Sequence, residues 1–314
     1  MNMDVLSRNI ESARKKYSKD PAPNIFCIKK ELMKDLEPTA TYTHNGQECG
    51  VEFKYPETNI MFQHNGNLVF LPKFDAYSYR GQNIIYNNEQ EKIILPCVPN
   101  VFRIGSKDEC LSKLKKTILF ENKITELNIL HEELPFSWPG LNNDVTPTSH
   151  AQHYGMITNL LDLTFDFDVA SFFATTLFDS GKYRACKSGT GVIYIFNTLM
   201  PFASEDSSRY GRVEFISKST KLPRAEKQFA FALDMKSKDD MNSFRNVVRL
   251  FFTQDLDCSE QILAFFNGGL DLFPDDDTSR LVNRIKNEIE QMGDEEFSED
   301  ISKEARIRYK EYFE

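Results

Sequence analysis

The run from Gln152 to Ala174 constrains this chain more than any other stretch. Gln152-His153-Tyr154 is polar and aromatic, and Gly155 breaks a helix there. Met156 to Leu163 is a short apolar run, interrupted at Thr158-Asn159 and Asp162. Asp166 and Asp168 then precede Val169-Ala170 and Phe172-Phe173-Ala174, with Asp168 placed as a natural N-cap for a helix starting at Val169. The reading is helix end, glycine turn, short strand, loop, buried helix. Such a junction sets polar side chains at the end of a strand, where pockets form.

The flanking chain supplies both kinds of element. Residues 1–34 are helical in part, and Pro21-Ala22-Pro23 interrupts them. Val51-Glu52-Phe53 and Asn67-Leu68-Val69-Phe70 read as strands near Asn-Gly turns, either as a separate β-rich element or as the lead-in to the main sheet. Alternation in Tyr77-Ser78-Tyr79-Arg80-Gly81-Gln82 puts both tyrosines on one face and Arg80 on the other. A strand-end arginine followed by glycine suits an anion, although a surface arginine before a turn has the same pattern. Leu111, Leu114, Ile118 and Leu119 share a stripe in one or two helices over 106–131. A short helix is expected from Thr146 to Tyr154. Gly191 to Phe196, Val213 to Ile216 and Gln228 to Leu233 read as strands; Phe244 to Phe252, Ser259 to Phe266 and the segment from Thr278 read as helices. The charged stretch from Asp294 to Glu314 is expected as a peripheral helix.

The chain has 314 residues, 40% of them hydrophobic and 12% aromatic, which is enough to fill a core. A net charge of −9 argues against general attraction to nucleic acid or anionic lipid. Cys27, Cys49, Cys97, Cys110, Cys186 and Cys258 are scattered, without metal-ligand spacing, and read as reduced thiols of a cytoplasmic protein. No metal site is expected. No apolar run approaches the roughly 20 residues that cross a bilayer, so no membrane partner is expected either.

Tyr79-Arg80-Gly81-Gln82, Leu95-Pro96 with Phe102-Arg103, Gln152-His153-Tyr154-Gly155, Leu160-Leu161-Asp162-Leu163-Thr164, Val169-Ala170 with Phe172-Phe173-Ala174, and Leu272-Phe273-Pro274 follow one another in this order. In this the chain resembles FRG-domain proteins over roughly residues 74–290. The domain takes its name from Phe-Arg-Gly, and Tyr79 is the aromatic here. Ile157 stands where a proline is common in the family, and Asn159 where an arginine is common. The resemblance implies a lead-in over residues 1–74, an FRG domain over 75–290 and a charged C-terminal helix over 291–314.

The layout is further similar to ADP-ribosyltransferases of the Arg-Ser-Glu type. That likeness implies an α+β fold, an ADP-ribosyltransferase-like central mixed β-sheet with packed helices. By analogy Arg80, with Gly81 and Gln82, would hold NAD as substrate, Thr164 would support the site, and Tyr154 would stack on nicotinamide. Arg80 and Thr164 should then line one pocket. Gln228 falls where the catalytic glutamate is expected, with Glu226 two residues earlier on the same strand face. The chemistry explains the residue types: cleaving NAD builds positive charge on the ribose, and a carboxylate stabilises it. Glutamine carries no such charge. His153 is either a base that orients an acceptor or a packed structural histidine.

Three readings stay open. The first is an NAD-consuming, ADP-ribosyltransferase-like effector or toxin that modifies a macromolecular acceptor, as in bacterial defence against phage. The second is a nucleotide-binding module without turnover, and the third an interaction module.

Overall fold

The structure, a computed structural model, describes the chain apart from residues 1–2, 36–37, 45–46, 54–57, 65–66, 75–76, 85–96, 128–146, 198–209, 216–222, 236–239, 242–243, 245–246 and 314. The strand expected at Ile216 and the loop carrying Leu95-Pro96 lie at least partly outside the described residues.

Helices α1 (Met3–Tyr17) and α2 (Ile25–Leu32) precede two hairpins, β1 (Pro38–His44) with β2 (Gln47–Phe53) and β3 (Thr58–His64) with β4 (Asn67–Phe74), and then β5 (Tyr77–Ile84). Next come α3 (Lys107–Glu126), α4 (Pro147–His153), β6 (Leu160–Thr164), α5 (Phe167–Thr175), β7 (Thr176–Asp179), β8 (Lys182–Ala185) and β9 (Thr190–Asn197). These are followed by β10 (Tyr210–Phe215), α6 (Pro223–Lys227), β11 (Ala230–Met235), β12 (Val247–Thr253) and α7 (Leu256–Phe265). The remaining helices are α8 (Asp277–Glu290), α9 (Glu299–Arg308) and α10 (Lys310–Phe313). The fold class is α+β. The strand pairings with a described register are antiparallel, where a mixed sheet was expected.

The chain divides into two compact units. One holds Met1–Pro96, Thr164–Met200 and Phe244–Leu272; the other holds Cys97–Leu163, Pro201–Ser243 and Phe273–Glu314.

In the first unit β9 lies between β5 and β12, with Arg80 opposite Tyr194 and Leu250 opposite Ile193. Val192 to Phe196 are all buried, which explains a continuous apolar run where a half-exposed strand would alternate. The segment expected as a helix from Phe244 to Phe252 is largely strand β12. Its Val247-Val248-Arg249-Leu250-Phe251-Phe252 core is β-branched and aromatic, and a short apolar run does not separate the two periods by itself. Ala22 extends the pairing: its N–H reaches Phe251 O at 2.7 Å, and Thr253 N–H reaches Ala22 O at 2.8 Å.

Helix α5 starts two residues before the expected position, capped by Asp166 and not by Asp168. The Asp166 carboxylate accepts from Asp168 N and Val169 N at 2.6 and 3.1 Å. Asp168 instead meets Lys29 Nζ, with both oxygens at 2.7 Å.

In the second unit α3 is one helix, capped by Ser106 Oγ on Glu109 N. One of its faces packs Cys110, Leu114 and Ile118 with Ala305 and Tyr309. Another packs Phe120 and Ile124 with Ala151, Tyr154, Met156, Val282 and Ile289. The buried Glu121 is ion-paired with Arg308. Strands β10 and β11 are paired, and Ala230 and Ala232 of β11 cluster with Leu160 and Ala225. Among the described residues no helix is long and apolar enough to cross a membrane.

Candidate functional site

The polar residues singled out by sequence fall into two settings, one in each unit. In the first unit, strand β5 presents alternate faces. Tyr79 is fully buried and meets the Phe167 ring edge-on, with centroids 5.6 Å apart. Gly81 lies on the same face, against α5: a Cβ there would sit 1.7 Å from Ala170 O and 2.7 Å from Ala174 N. Gly81 therefore serves close strand–helix packing. Arg80 and Gln82 are half-buried on the opposite face, beside the fully buried Ser78.

Thr164 pairs directly with Tyr79, and opposed residues of an antiparallel pair share a face. Thr164 therefore goes with Tyr79, away from Arg80, and the expected shared pocket for Arg80 and Thr164 does not follow from this register. The Thr164 hydroxyl accepts from Asp166 N at 3.0 Å and so shapes the turn into α5. That role is local and structural.

The second setting is the C-terminus of α4 in the second unit. Gly155 takes φ +81°, and the helix closes as a Schellman turn: Gly155 N–H reaches Gln152 O at 2.9 Å and Met156 N–H reaches Ala151 O at 3.0 Å. This turn exposes Gly155 and fixes the three polar residues before it. Gln152 Nε2 donates to Asp162 Oδ2 at 3.0 Å, and its Oε1 accepts from the Thr158 hydroxyl. His153 Nδ1 lies 3.2 Å from Gln228 Oε1. An amide oxygen only accepts, so the proton sits on Nδ1 and Nε2 keeps its lone pair. That Nε2 is buried and has no hydrogen-bond partner among the described residues. Burial pushes the His153 pKa down and the nearby Arg224 adds to this, while Asp162 and the Gln228 bond oppose it. His153 is therefore a neutral imidazole with a bare nitrogen.

Tyr154 is 2% exposed. Its hydroxyl meets Ser279 Oγ at 3.1 Å, and the Arg224 guanidinium covers its ring at 4.3 Å. It is a core residue, and the expected stacking on nicotinamide has no open ring face to use. Arg224 Nη1 also donates to His153 O at 3.2 Å, where the end of a helix favours a cation. Sequence reading passed over Arg224 as a site residue, and over Lys286, whose Nζ would lie 3.0 Å from a Cβ on Gly155. No local signal marks Lys286, which sits among other charges on α8.

The strand expected from Gln228 to Leu233 begins only at Ala230. Glu226 is the fourth residue of α6, and Gln228 and Phe229 form a turn, with Phe229 at φ +46°. Strand alternation therefore does not relate Glu226 to Gln228, and a register shift cannot exchange them. Pro223 at the first helical position explains the helix that the strand reading overran. Gln228 is buried, whereas Phe229 is 52% exposed. Among the described residues there is no group of three or more His, Cys, Asp or Glu that could hold a metal ion.

The FRG domain model matches residues 75–181, about a third of the chain. The match takes in the Tyr79-Arg80-Gly81 strand, the α4 turn and α5. Neither the curated proteins nor the solved structures contain a significant match.

Proposed function

We propose that this chain is a nucleotide-binding module for an NAD-type dinucleotide, with little or no turnover of its own. The observation that carries this reading is Gln228. The residue aligned by analogy with a catalytic glutamate is neutral, buried, and occupied by His153 Nδ1 at 3.2 Å. An amide so placed supplies a hydrogen bond but cannot offset a developing positive charge on ribose. Arg80 is the proposed anchor for the diphosphate, because a planar guanidinium forks onto paired oxygens. Gly81 and Gln82 support it only by position, since Gly81 is consumed by packing on α5.

One observation favours a second reading, an ADP-ribosyltransferase-like effector or toxin acting on a macromolecule in the cytoplasm. His153 Nε2 is a bare, neutral base next to a glycine turn. In that reading His153 activates an acceptor, and NAD is consumed. The opposed faces of Arg80 and Thr164 weigh against it.

Calorimetry with NAD and a nicotinamide-release assay separate the two. The binding reading expects saturable NAD binding and little nicotinamide release. Arg80→Ala should lose about 1.5–3 kcal/mol of binding, about tenfold or more. Gln228→Glu should raise release from a low base. Equal NAD affinity in wild type and Arg80→Ala would sink the anchor. Rapid release by the wild-type chain, abolished by His153→Ala, would establish the enzyme instead.

A further inference from the structure

Strands β5, β9 and β12 carry two charged side chains between them, Arg80 and Arg249, and no carboxylate. The register puts both in one row. Tyr194 of β9 stands opposite Arg80 on one side and opposite Arg249 on the other. Opposed residues of antiparallel strands share a face, so the two arginines flank Tyr194 on the same face of the sheet. Two strand spacings set their Cα atoms roughly 10 Å apart. Arg249 is half-buried, and among the described residues it makes no hydrogen bond, ion pair or ring contact. A guanidinium drawn partly out of water without a partner is unfavourable, and its N–H donors stay open. The Ser78 hydroxyl lies two residues before Arg80 on the same face. It is fully buried and also lacks a hydrogen-bond partner among the described residues. This face therefore presents positive charge and unmet polar groups in a chain whose net charge is −9.

We propose, building on the dinucleotide reading above, that Arg249 is a second anion-binding residue and takes the phosphate of the diphosphate that lies farther from Arg80. The spacing of the two stems suits a bridging ligand, because a guanidinium forks onto the paired oxygens of one phosphate. Tyr194 is fully buried between them and fixes that spacing, being in register with both. A bridging dianion also offsets the repulsion between two like charges on one face. A single phosphate engages one fork at a time, so Arg249 sets a preference for diphosphate over monophosphate. An arginine that only lays its stem over the apolar strand has no such preference.

The test is isothermal titration calorimetry of the full chain with inorganic pyrophosphate, inorganic phosphate and NAD, each in turn. Pyrophosphate is expected to bind saturably and at least tenfold more tightly than phosphate. Arg249→Gln should weaken pyrophosphate about tenfold or more and narrow its advantage over phosphate. Arg249→Lys should restore little of either, since a point charge lacks the fork. In the wild-type chain, pyrophosphate should slow the labelling of Arg249 by phenylglyoxal several-fold, read by peptide mass mapping. This readout needs no variant to fold. Pyrophosphate binding that depends on Arg249, without NAD binding, would support Arg249 and sink the dinucleotide reading. NAD binding that Arg80→Ala weakens and Arg249→Gln leaves equal would overturn the proposal and keep that reading. Absence of saturable pyrophosphate binding, equal affinity for phosphate, or labelling that pyrophosphate does not slow would overturn the proposal as well.

Discussion

Gly81 and Gly155 both belong to the motifs that mark this chain, yet the two regions need glycine for opposite reasons. At Gly81 the β5 backbone lies against α5 so closely that a Cβ would overlap Ala170 O at 1.7 Å. At Gly155 the nearest atom to a built Cβ is Lys286 Nζ at 3.0 Å, the far end of a flexible side chain. There the need is conformational, a φ of +81° at the end of α4. The first glycine joins two elements, while the second ends one and leaves its surroundings open. Chemistry is therefore to be sought beside Gly155 and on the Arg80 face, and the seam between β5 and α5 is scaffold.

The sharpest way to break this comparison is to add one carbon at each place. Gly81→Ala forces backbone against backbone, and neither Ala170 nor Ala174 can rotate away. The expected loss exceeds about 3 kcal/mol and includes failure to fold. Gly155→Ala should cost only about 1 kcal/mol, the penalty of a left-handed conformation, since Lys286 can move. Denaturant titration of both variants measures the difference. Similar losses would show that the two glycines share one role.

Acid titration probes the same contrast with a smaller effect. Near Gly155, His150 is completely buried, and burial, with His153 adding to it, lowers its pKa from 6.5 to about 3. The unfolded chain takes up a proton below pH 6.5 that folded His150 refuses until about pH 3, so its contribution to stability falls as pH drops through that window. The loss from this group reaches about 2–3 kcal/mol by pH 4.5. At the α5 cap the sign is reversed. Burial, with Asp168 adding to it, raises Asp166 to about 6, so that group favours folding as pH falls from about 6 toward 3.8. Stability measured from pH 7 to 4 should thus decline less steeply in His150→Phe than in wild type. Parallel curves would remove His150 as the acid-labile group.

Much of this arrangement was legible from residues alone. The order helix, glycine turn, strand, loop, buried helix stands in the structure from Pro147 to Thr175, because Gly155 and the aspartates before α5 are strong local signals. The alternation of Tyr79 and Arg80 was equally plain. Other features depended on partners far along the chain. The cap passed from Asp168 to Asp166 because Lys29 claims Asp168. Val247 to Thr253 is a strand because β9 offers it an edge. The pairing of Tyr79 with Thr164, which separates Thr164 from Arg80, is a register and leaves no trace in composition. Arg249 gains its interest only from Tyr194 and Arg80, both distant in sequence.

The smallest expected effect sharpens the comparison at another left-handed position, Phe229. Its φ is +46° and its side chain is 52% exposed, so it bears backbone strain without gaining burial. Its neighbours impose that conformation: Gln228 is buried against His153, and Ala230 is buried where β11 begins. Between those two anchors the chain must turn within one residue. Asparagine tolerates positive φ better than a bulky residue, so Phe229→Asn should stabilise the chain by about 0.5–1 kcal/mol. Glycine should gain less, because it adds disorder to the unfolded chain. The His153 ring resonances should stay in place in Phe229→Asn, since the Gln228 bond is held by buried anchors on either side. A loss of stability, or a shifted His153 resonance, would show that the phenyl ring itself holds the turn. The distinction between a strained connector and a packed seam would then fail at this position.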